Sequence, residues 1–207
     1  MVIAAIFASG IVPENLAGEV FSGAFALLAF VGLISCDPNQ FLRQVSLSAI
    51  SVAWFGICLG ALGSIATRDG GVLLVLWLVL CVELNDVAAF MGGKLFKGRK
   101  LCPGISPGKT ISGAVTALLM TPAFAGGTAH WYWEPSAPWI PFALGFVISA
   151  AGQAGDLVVS AVKRSLEIKD LGSCLPGHGG ILDRCDSLLL ASPVILLLVS
   201  VFPVLPH

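Results

Sequence analysis

Apolar runs long enough to cross a lipid bilayer alternate with short polar breaks along most of this sequence. A transmembrane helix needs about 20 consecutive and mainly apolar residues, and six runs reach or approach that length. They cover residues 19–35, 45–66, 71–91, 111–129, 140–159 and 187–201. A shorter run over residues 2–12 is either a further span or a helix in the membrane interface. The pattern predicts an all-α, polytopic transmembrane bundle of about six or seven spans, forming a single integral-membrane domain over residues 1–207.

The composition agrees with a membrane protein and excludes several classes of function. Hydrophobic residues make up 57% of the chain and charged residues 11%, against about 25% charged residues in an average soluble domain. A net charge of -1 gives no basic surface for a polyanion, so nucleic acid is not an expected partner. The six cysteines form no CxxC pair, and we interpret them as free thiols that serve mainly as small apolar packing residues.

Charge is concentrated in two stretches, which we call the first polar segment (residues 83–113) and the second polar segment (residues 156–186). In the predicted topology Arg68 is the one basic residue on one side of the membrane. The other side carries Arg43, Lys94, Lys97, Arg99, Lys100, Lys109, Lys163, Arg164, Lys169 and Arg184. By the positive-inside rule, both polar segments therefore face the cytoplasm. We predict a bacterial inner-membrane protein in which the two polar segments meet in one membrane-embedded site that faces the cytoplasm.

The second polar segment begins with an acid, a hydroxyl and an amine at helical spacing. Asp156, Ser160 and Lys163 would form one stripe at the end of a span. An ionisable residue that directly follows an apolar span, as Asp156 does, is by default a functional-site candidate. Asp183 and Asp186 also share a face if the last helix begins near position 182. Carboxylates among basic residues are typical of Mg²⁺ shared between a protein and a polyphosphate.

The same segment contains a turn without bulky side chains, Pro176-Gly177-His178-Gly179-Gly180. Such a turn lets backbone N–H groups approach an anion closely. The alternative interpretation is that these loops carry surface ion pairs of little consequence, with His178 as an interfacial histidine.

The first polar segment combines a Gly- and Pro-rich loop with acids inside a span. Thr110 is expected to cap the next helix, which leaves N–H groups and the positive dipole end for a phosphate beside Lys109 and Ser106. A P-loop is excluded because position 103 is Pro. Glu83, Asn85 and Asp86 interrupt a predicted helix, and the two acids should face a polar cavity and not lipid.

Together these residues resemble the phosphatidate cytidylyltransferase (CDP-diacylglycerol synthase) family. The matching positions in the second polar segment are Ser160, Lys163, Arg164, Lys169, Asp170, Gly172, Pro176, Gly177, His178, Gly179, Gly180, Asp183, Arg184 and Asp186. Those in the first are Asn85, Asp86, Ala89, Phe90, Gly93, Ile105, Ser106, Pro107, Gly108, Lys109, Thr110 and Gly113. The chain departs from the family at Val159, where an acid is common, and at Phe90, where Tyr is common.

The resemblance implies that CTP and phosphatidate react to give CDP-diacylglycerol and pyrophosphate, with Mg²⁺, in one or two ions, as cofactor. The implied catalytic residues are Asp156, Lys163, His178, Asp183 and Asp186, and the implied metal ligands are Asp156, Asp183 and Asp186. The implied substrate-binding residues are Asp86, Ser106, Lys109, Thr110, Ser160, Arg164, Gly179, Gly180 and Arg184. A homodimer is one assembly that the sequence leaves open.

Two other functions fit part of the pattern. An ion or proton transporter would use Glu83, Asp86 and Asp156 as intramembrane carriers, but this leaves the cytoplasmic basic residues and the glycine turn unexplained. A CTP-dependent enzyme acting on another lipid fits the same motifs. Fold alone does not separate these functions.

Overall fold

A computed structural model describes residues 38–133, 135–168 and 186–201 of the chain. These residues are mainly helical, with five α-helices, a short 3₁₀ turn over Ala129–Trp131 and a two-stranded β-hairpin. The helices are α1 (Pro38–Ala66), α2 (Gly71–Phe96), α3 (Ile111–Thr128), α4 (Ile140–Ser165) and α5 (Asp186–Val201). Strands β1 (Lys100–Cys102) and β2 (Ser106–Thr110) pair antiparallel between α2 and α3. The all-α prediction is therefore correct for the bundle and wrong for the loop that forms this hairpin.

Three helical segments within the described part of the chain are long and apolar enough to cross a membrane. They are Gly71–Phe96, Ile111–Trp131 and Ile140–Ser165. Shorter apolar helices cover Gly56–Ala66 and Asp186–Ser200. The helices are those of an integral membrane protein, while the predicted count of six or seven spans is not confirmed. The runs over residues 2–12 and 19–35 lie outside the described residues.

Several helices extend beyond the boundaries that the sequence predicts. Helix α1 begins at Pro38, before the start of the predicted run over residues 45–66. Proline is tolerated in the first helical turn because its missing N–H has no intrahelical acceptor there. Helix α2 continues past Asn85 and Asp86 to Phe96, so the predicted interruption is wrong. Asn85 is fully buried and hydrogen-bonds to side chains of neighbouring helices, which removes its competition with the helix backbone.

Small residues set how closely the helices approach. A Cβ atom built on Gly145 of α4 would lie 2.7 Å from Pro122 Cα of α3, and one on Gly155 would lie 2.7 Å from the Asp186 carbonyl oxygen of α5. A Cβ on Gly113 of α3 would overlap the Ala89 carbonyl oxygen of α2. Small interfacial residues are typical of helix packing in membranes, where van der Waals contact drives association. Gly155 thus brings the start of α5 next to Asp156.

The apolar core lies away from the hairpin, in the half of the bundle that contains the α1–α2 turn. Trp77 of α2 is fully buried and packs edge-to-face on Trp133, with ring centroids 6.0 Å apart. The aromatic segment in the sequence predicts that Trp131, Tyr132, Trp133 and Trp139 lie in the headgroup layer. Trp131 and Trp139 are exposed, as expected, but Trp133 is a core residue and Tyr132 is partly buried against the core. Its ring gains more from burial against Trp77 than from an interfacial position.

The basic residues from Arg68 to Arg164 divide between the two ends of the bundle as predicted. Arg68, in the α1–α2 turn, donates to the Val199 carbonyl oxygen (3.3 Å) and to Ser200 Oγ (2.8 Å) at the end of α5. At the other end Arg164 Nε, near the end of α4, donates to the Ile105 carbonyl oxygen in the hairpin (3.3 Å). The hairpin, the end of α2 and the start of α5 therefore share one end of the molecule.

Candidate functional site

The β-hairpin holds the polar residues of the first polar segment at the start of α3. Lys100 pairs with Thr110 and Cys102 pairs with Ser106. Thr110 is in an extended conformation and its Oγ1 accepts a hydrogen bond from the Gly113 N–H at 3.1 Å. The predicted helix cap is confirmed. Because the cap fixes Thr110, the adjacent Lys109 leaves the strand at a defined position.

A stripe of polar side chains lies along α4. Ser160 Oγ donates to Asp156 Oδ1 at 3.2 Å, which confirms the predicted face. One turn earlier, Gln153 Nε2 donates to Ser149 Oγ (3.2 Å) and to the Ala114 carbonyl oxygen of α3 (3.3 Å). The hydrogen bond from Gln153 therefore joins α4 to α3 one helical turn before Asp156.

The two polar segments meet in an ion pair. Lys109 Nζ lies 2.5 Å from Asp156 Oδ2, and both side chains are about three-quarters buried, with 24% and 26% of their surface exposed. The pair joins the end of β2 to the second half of α4. The prediction that the two segments converge on one site is thus correct for these residues.

A second contact joins α2 to the start of α5. The buried Ser187 hydroxyl donates to the Asp86 carboxylate, with Oγ 3.0 Å from Oδ2. The Ser187 N–H donates to Asp186 Oδ1 at 2.8 Å. Asp86 and Asp186 are thereby held on either side of one serine, and their charges repel each other and that of Asp156. Such a set of carboxylates favours a nearby cation.

These contacts surround a cavity of about 570 Å³ at the hairpin end of the bundle, within the usual size range of small-molecule sites. Its charged lining comprises the acids Asp86, Asp156 and Asp186 and the lysines Lys94, Lys100 and Lys109. Its polar lining includes Ser106, Thr110 and Gln153. Acids and amines that line one cavity can bind a cation and an anion at the same time.

Carboxylate oxygens are the ligands that Mg²⁺ prefers, and the donor chemistry of Asp86, Asp156 and Asp186 fits that ion. Across residues 38–133, 135–168 and 186–201, however, no three His, Cys, Asp or Glu side chains are close enough to hold a metal ion among them. Asp183, the remaining predicted ligand, lies outside the described residues. The described acids therefore do not form a metal site by themselves.

Most predicted site residues in the described part of the chain line the cavity. The predicted residues in the lining are Asp86, Ser106, Lys109, Thr110, Asp156 and Asp186. Ser160 is outside the lining and contacts Asp156. Arg164 instead binds the hairpin backbone and does not line the cavity. The positive charge of Lys163 attracts the Asp186 carboxylate. The predicted residues His178, Gly179, Gly180, Asp183 and Arg184 lie outside the described residues.

Glu83 differs from Asp86, although both were predicted to face a polar cavity. Asp86 lines the cavity, whereas the side chain of Glu83 is exposed on α2 and is not part of the lining. Successive residues on a helix turn by about 100°, so three positions separate the two side chains by about 60°. Among the described residues, Glu83 therefore does not share this cavity with Asp86.

Four residues of the site were not predicted. Lys94 and Lys100 line the cavity, Gln153 braces α4 against α3, and Ser187 joins Asp86 to Asp186. The sequence position of Gln153 could have indicated its role, because Gln153 is polar within an apolar run and lies one turn before Asp156. Lys94 and Lys100 carried no such signal, because basic residues are common at the cytoplasmic ends of spans.

The sequence of the chain is similar to those of known proteins. The sequence model of the cytidylyltransferase family matches residues 1–202. The chain is 37% identical over 181 residues to the Escherichia coli K12 protein named "Uncharacterized protein YnbB", covering 82% of this chain and 58% of that protein. It is 38% identical over 173 residues to the phosphatidate cytidylyltransferase of Staphylococcus aureus strain COL, covering 83% and 65%. A Staphylococcus haemolyticus phosphatidate cytidylyltransferase is 36% identical over the same length.

The chain spans 58% to 65% of the length of these curated relatives. The match nevertheless includes both polar segments, because the family model covers nearly all of the 207 residues. This chain therefore belongs to the cytidylyltransferase family.

Proposed function

We propose that this chain transfers the cytidylyl group of CTP to phosphatidate, giving CDP-diacylglycerol and pyrophosphate. The observation that carries the proposal is the ion pair between Lys109 and Asp156, which brings both polar segments to one cavity. Relatives named phosphatidate cytidylyltransferase support the choice of reaction.

The reaction needs alignment more than acid–base chemistry. A phosphate oxygen of phosphatidate attacks the α-phosphorus of CTP, and a new P–O bond forms there. The bond from the α-phosphorus to the oxygen that bridges to the β-phosphate breaks, and pyrophosphate leaves with that electron pair. The attacking phosphate is already anionic at neutral pH, so positioning and charge neutralisation are the main tasks of the protein.

The residues of the cavity suit these tasks. Lys94, Lys100 and Lys109 supply positive charge for the phosphates of both substrates. Ser106 provides a hydroxyl donor, and the positive end of the α3 dipole begins at Thr110, which lines the cavity. Ser160 orients the Asp156 carboxylate through its hydrogen bond.

Asp156, Asp183 and Asp186 would hold one or two Mg²⁺ ions, with Asp86 next to them through Ser187. Bound Mg²⁺ supplies charge stabilisation for the phosphate oxygens. Lys163, Arg164, Arg184, His178 and the glycines 179 and 180 are proposed to complete the triphosphate pocket.

The substrates require a site at the membrane surface, because CTP is soluble and phosphatidate keeps its acyl chains in the bilayer. Phe90 and Lys94 line the cavity from α2, and exposed Met91 and Leu95 follow them on the outer surface of this helix. This surface suits entry of a lipid from the side. We place the site on the cytoplasmic face of a bacterial inner membrane. The homodimer remains a prediction.

The test uses membranes from cells that express the full chain, supplied with labelled CTP, phosphatidate and Mg²⁺. We expect CDP-diacylglycerol and pyrophosphate in equal amounts, with none when Mg²⁺ is chelated. Glu83→Gln is the matched control, since it removes a neighbouring acid that does not line the cavity.

The products separate the alternatives. Release of CDP would indicate a CTP-dependent lipid kinase, and a cytidylyl product with a different lipid would indicate another acceptor. Proton flux in proteoliposomes without any consumption of CTP would favour the transporter.

A further inference from the structure

The Asp156 carboxylate has both oxygens engaged. Lys109 Nζ lies 2.5 Å from Oδ2, and Ser160 Oγ donates to Oδ1 at 3.2 Å. The Lys109 nitrogen is itself buried, and Asp156 is its ion-pair partner within the described residues. Lys109 thus neutralises the carboxylate that the proposed function assigns to a metal ion.

A divalent cation and the Lys109 ammonium compete for this carboxylate. Mg²⁺ binds oxygen at about 2.1 Å, so an ion on Oδ2 would lie within about 4.6 Å of Nζ in its present position. Two cations this close inside a partly buried cavity repel each other strongly. Lysine has a flexible four-carbon stem and three rotatable donors, so the ammonium is the group that can move.

The cavity offers the ammonium a second partner when CTP is bound. Ser106 and Thr110 line the same space as Lys109. The Ser106 hydroxyl and the positive dipole end of α3, which Thr110 caps, suit a phosphate. The Thr110 cap holds the end of β2 in place, so the Lys109 side chain moves without a movement of the backbone.

We propose that Lys109 occupies the cation position on Asp156 in the substrate-free protein and moves to the triphosphate when metal and CTP bind together. The inference rests on the proposed use of CTP with a divalent metal. Its consequence is that metal alone binds weakly, while the nucleotide removes the competing ammonium. By linkage, CTP and metal then strengthen each other's binding.

The experiment measures Mn²⁺ binding to the purified full chain by electron paramagnetic resonance, without CTP or lipid. Lys109→Gln should tighten Mn²⁺ binding about tenfold, as expected when a partly buried ion pair no longer opposes the metal. Lys100→Gln is the matched control: it removes the same charge from an exposed residue of the same cavity and should change the affinity by about twofold or less. Lys109→Arg, which keeps the charge, should stay near the unmodified protein.

A double-mutant cycle assigns the effect to Asp156. Asp156→Asn should weaken Mn²⁺ binding, and Lys109→Gln added to it should give no further gain. Lys109→Met, which keeps the length of the chain without the charge, replaces Gln if that variant does not fold.

Equal Mn²⁺ affinities for Lys109→Gln and Lys100→Gln would overturn the inference, and so would the absence of Mn²⁺ binding in every variant. Formation of CDP-diacylglycerol together with equal affinities would refute the inference alone. A gain specific to Lys109→Gln in a chain that makes no CDP-diacylglycerol would refute the proposed function. It would leave standing only the competition between Lys109 and the metal for Asp156.

Discussion

Ser149 Oγ of α4 donates a hydrogen bond to Asn85 Oδ1 of α2 at 2.6 Å, in the middle of the helix bundle. Both side chains are fully buried. Thr121 of α3 points its hydroxyl at the same oxygen, at 3.4 Å. One amide therefore links three helices between the apolar core and the cavity, directly beside Asp86.

Replacing this amide should loosen the bundle. We expect Asn85→Ala to lower the free energy of unfolding by about 1–3 kcal/mol, because two buried hydroxyls lose their acceptor. Thermal unfolding in detergent micelles measures the change. Ser149→Ala should cost less, and the double variant should cost less than the sum of the two single ones. Strict additivity would show that the hydrogen bond contributes nothing to stability.

Gly155 should be intolerant of a side chain. A Cβ there would lie 2.7 Å from the Asp186 carbonyl oxygen and 3.0 Å from Leu190 Cβ, so Gly155→Ala must push α4 and α5 apart. We expect a loss of about 1–3 kcal/mol in stability and reduced cytidylyltransferase activity, since Asp156 and Asp186 are displaced.

Gly127→Ala is the control for that substitution. Nothing lies within 4 Å of a Cβ at this position of α3, and alanine is the better helix former by about 1 kcal/mol. A Gly155→Ala protein as stable and as active as Gly127→Ala would contradict the proposed packing.

Carboxylates of the second polar segment should be essential to activity. We expect Asp156→Asn and Asp183→Asn each to lower kcat/KM by about 100-fold or more, because an amide binds Mg²⁺ far more weakly than a carboxylate. Asp69→Asn, an exposed position in the α1–α2 turn at the far end of the bundle, should be neutral. Near-normal turnover in a folded variant would remove that aspartate from the metal site.

Lysine is expected to be specifically required at position 109. Lys109→Ala should cost about 2–4 kcal/mol of transition-state stabilisation, by analogy with other preorganised charges. Lys109→Arg should recover part of this loss, since a planar guanidinium does not replace a compact ammonium. Steady-state kinetics with CTP as the varied substrate measures both. Full activity of Lys109→Arg would show that any positive charge is sufficient.

The topology is tested by labelling one cysteine at a time. In a variant that keeps Cys102 alone, the thiol lies in β1 at the hairpin end and is partly exposed. We expect it to react in intact cells with a membrane-permeant maleimide and not with an impermeant one. Asp69→Cys, placed at the opposite end, should react with both. Reaction of Cys102 with the impermeant maleimide, without reaction of Asp69→Cys, would show that the protein has the opposite orientation in the membrane.

Much of this protein follows from local chemistry in the sequence. The apolar runs define membrane helices because a backbone in lipid must satisfy its own hydrogen bonds, and α2, α3 and α4 lie where those runs predict. Thr110 as a helix cap and Ser160 next to Asp156 are contacts between residues three or four positions apart. Such contacts are visible from spacing alone.

Tertiary structure decided the rest, because it depends on groups far apart in the chain. The sequence treats Asn85 and Asp86 as a break in a helix, and the bundle supplies Ser149 and Ser187 as partners that keep α2 continuous. Tryptophan is a residue type typical of the membrane interface, and only the tertiary structure shows that Trp133 packs against Trp77. The pairing of Lys109 with Asp156 requires α4 to pack closely against α3, as it does at Gly145. Spacing along the chain does not contain this distance.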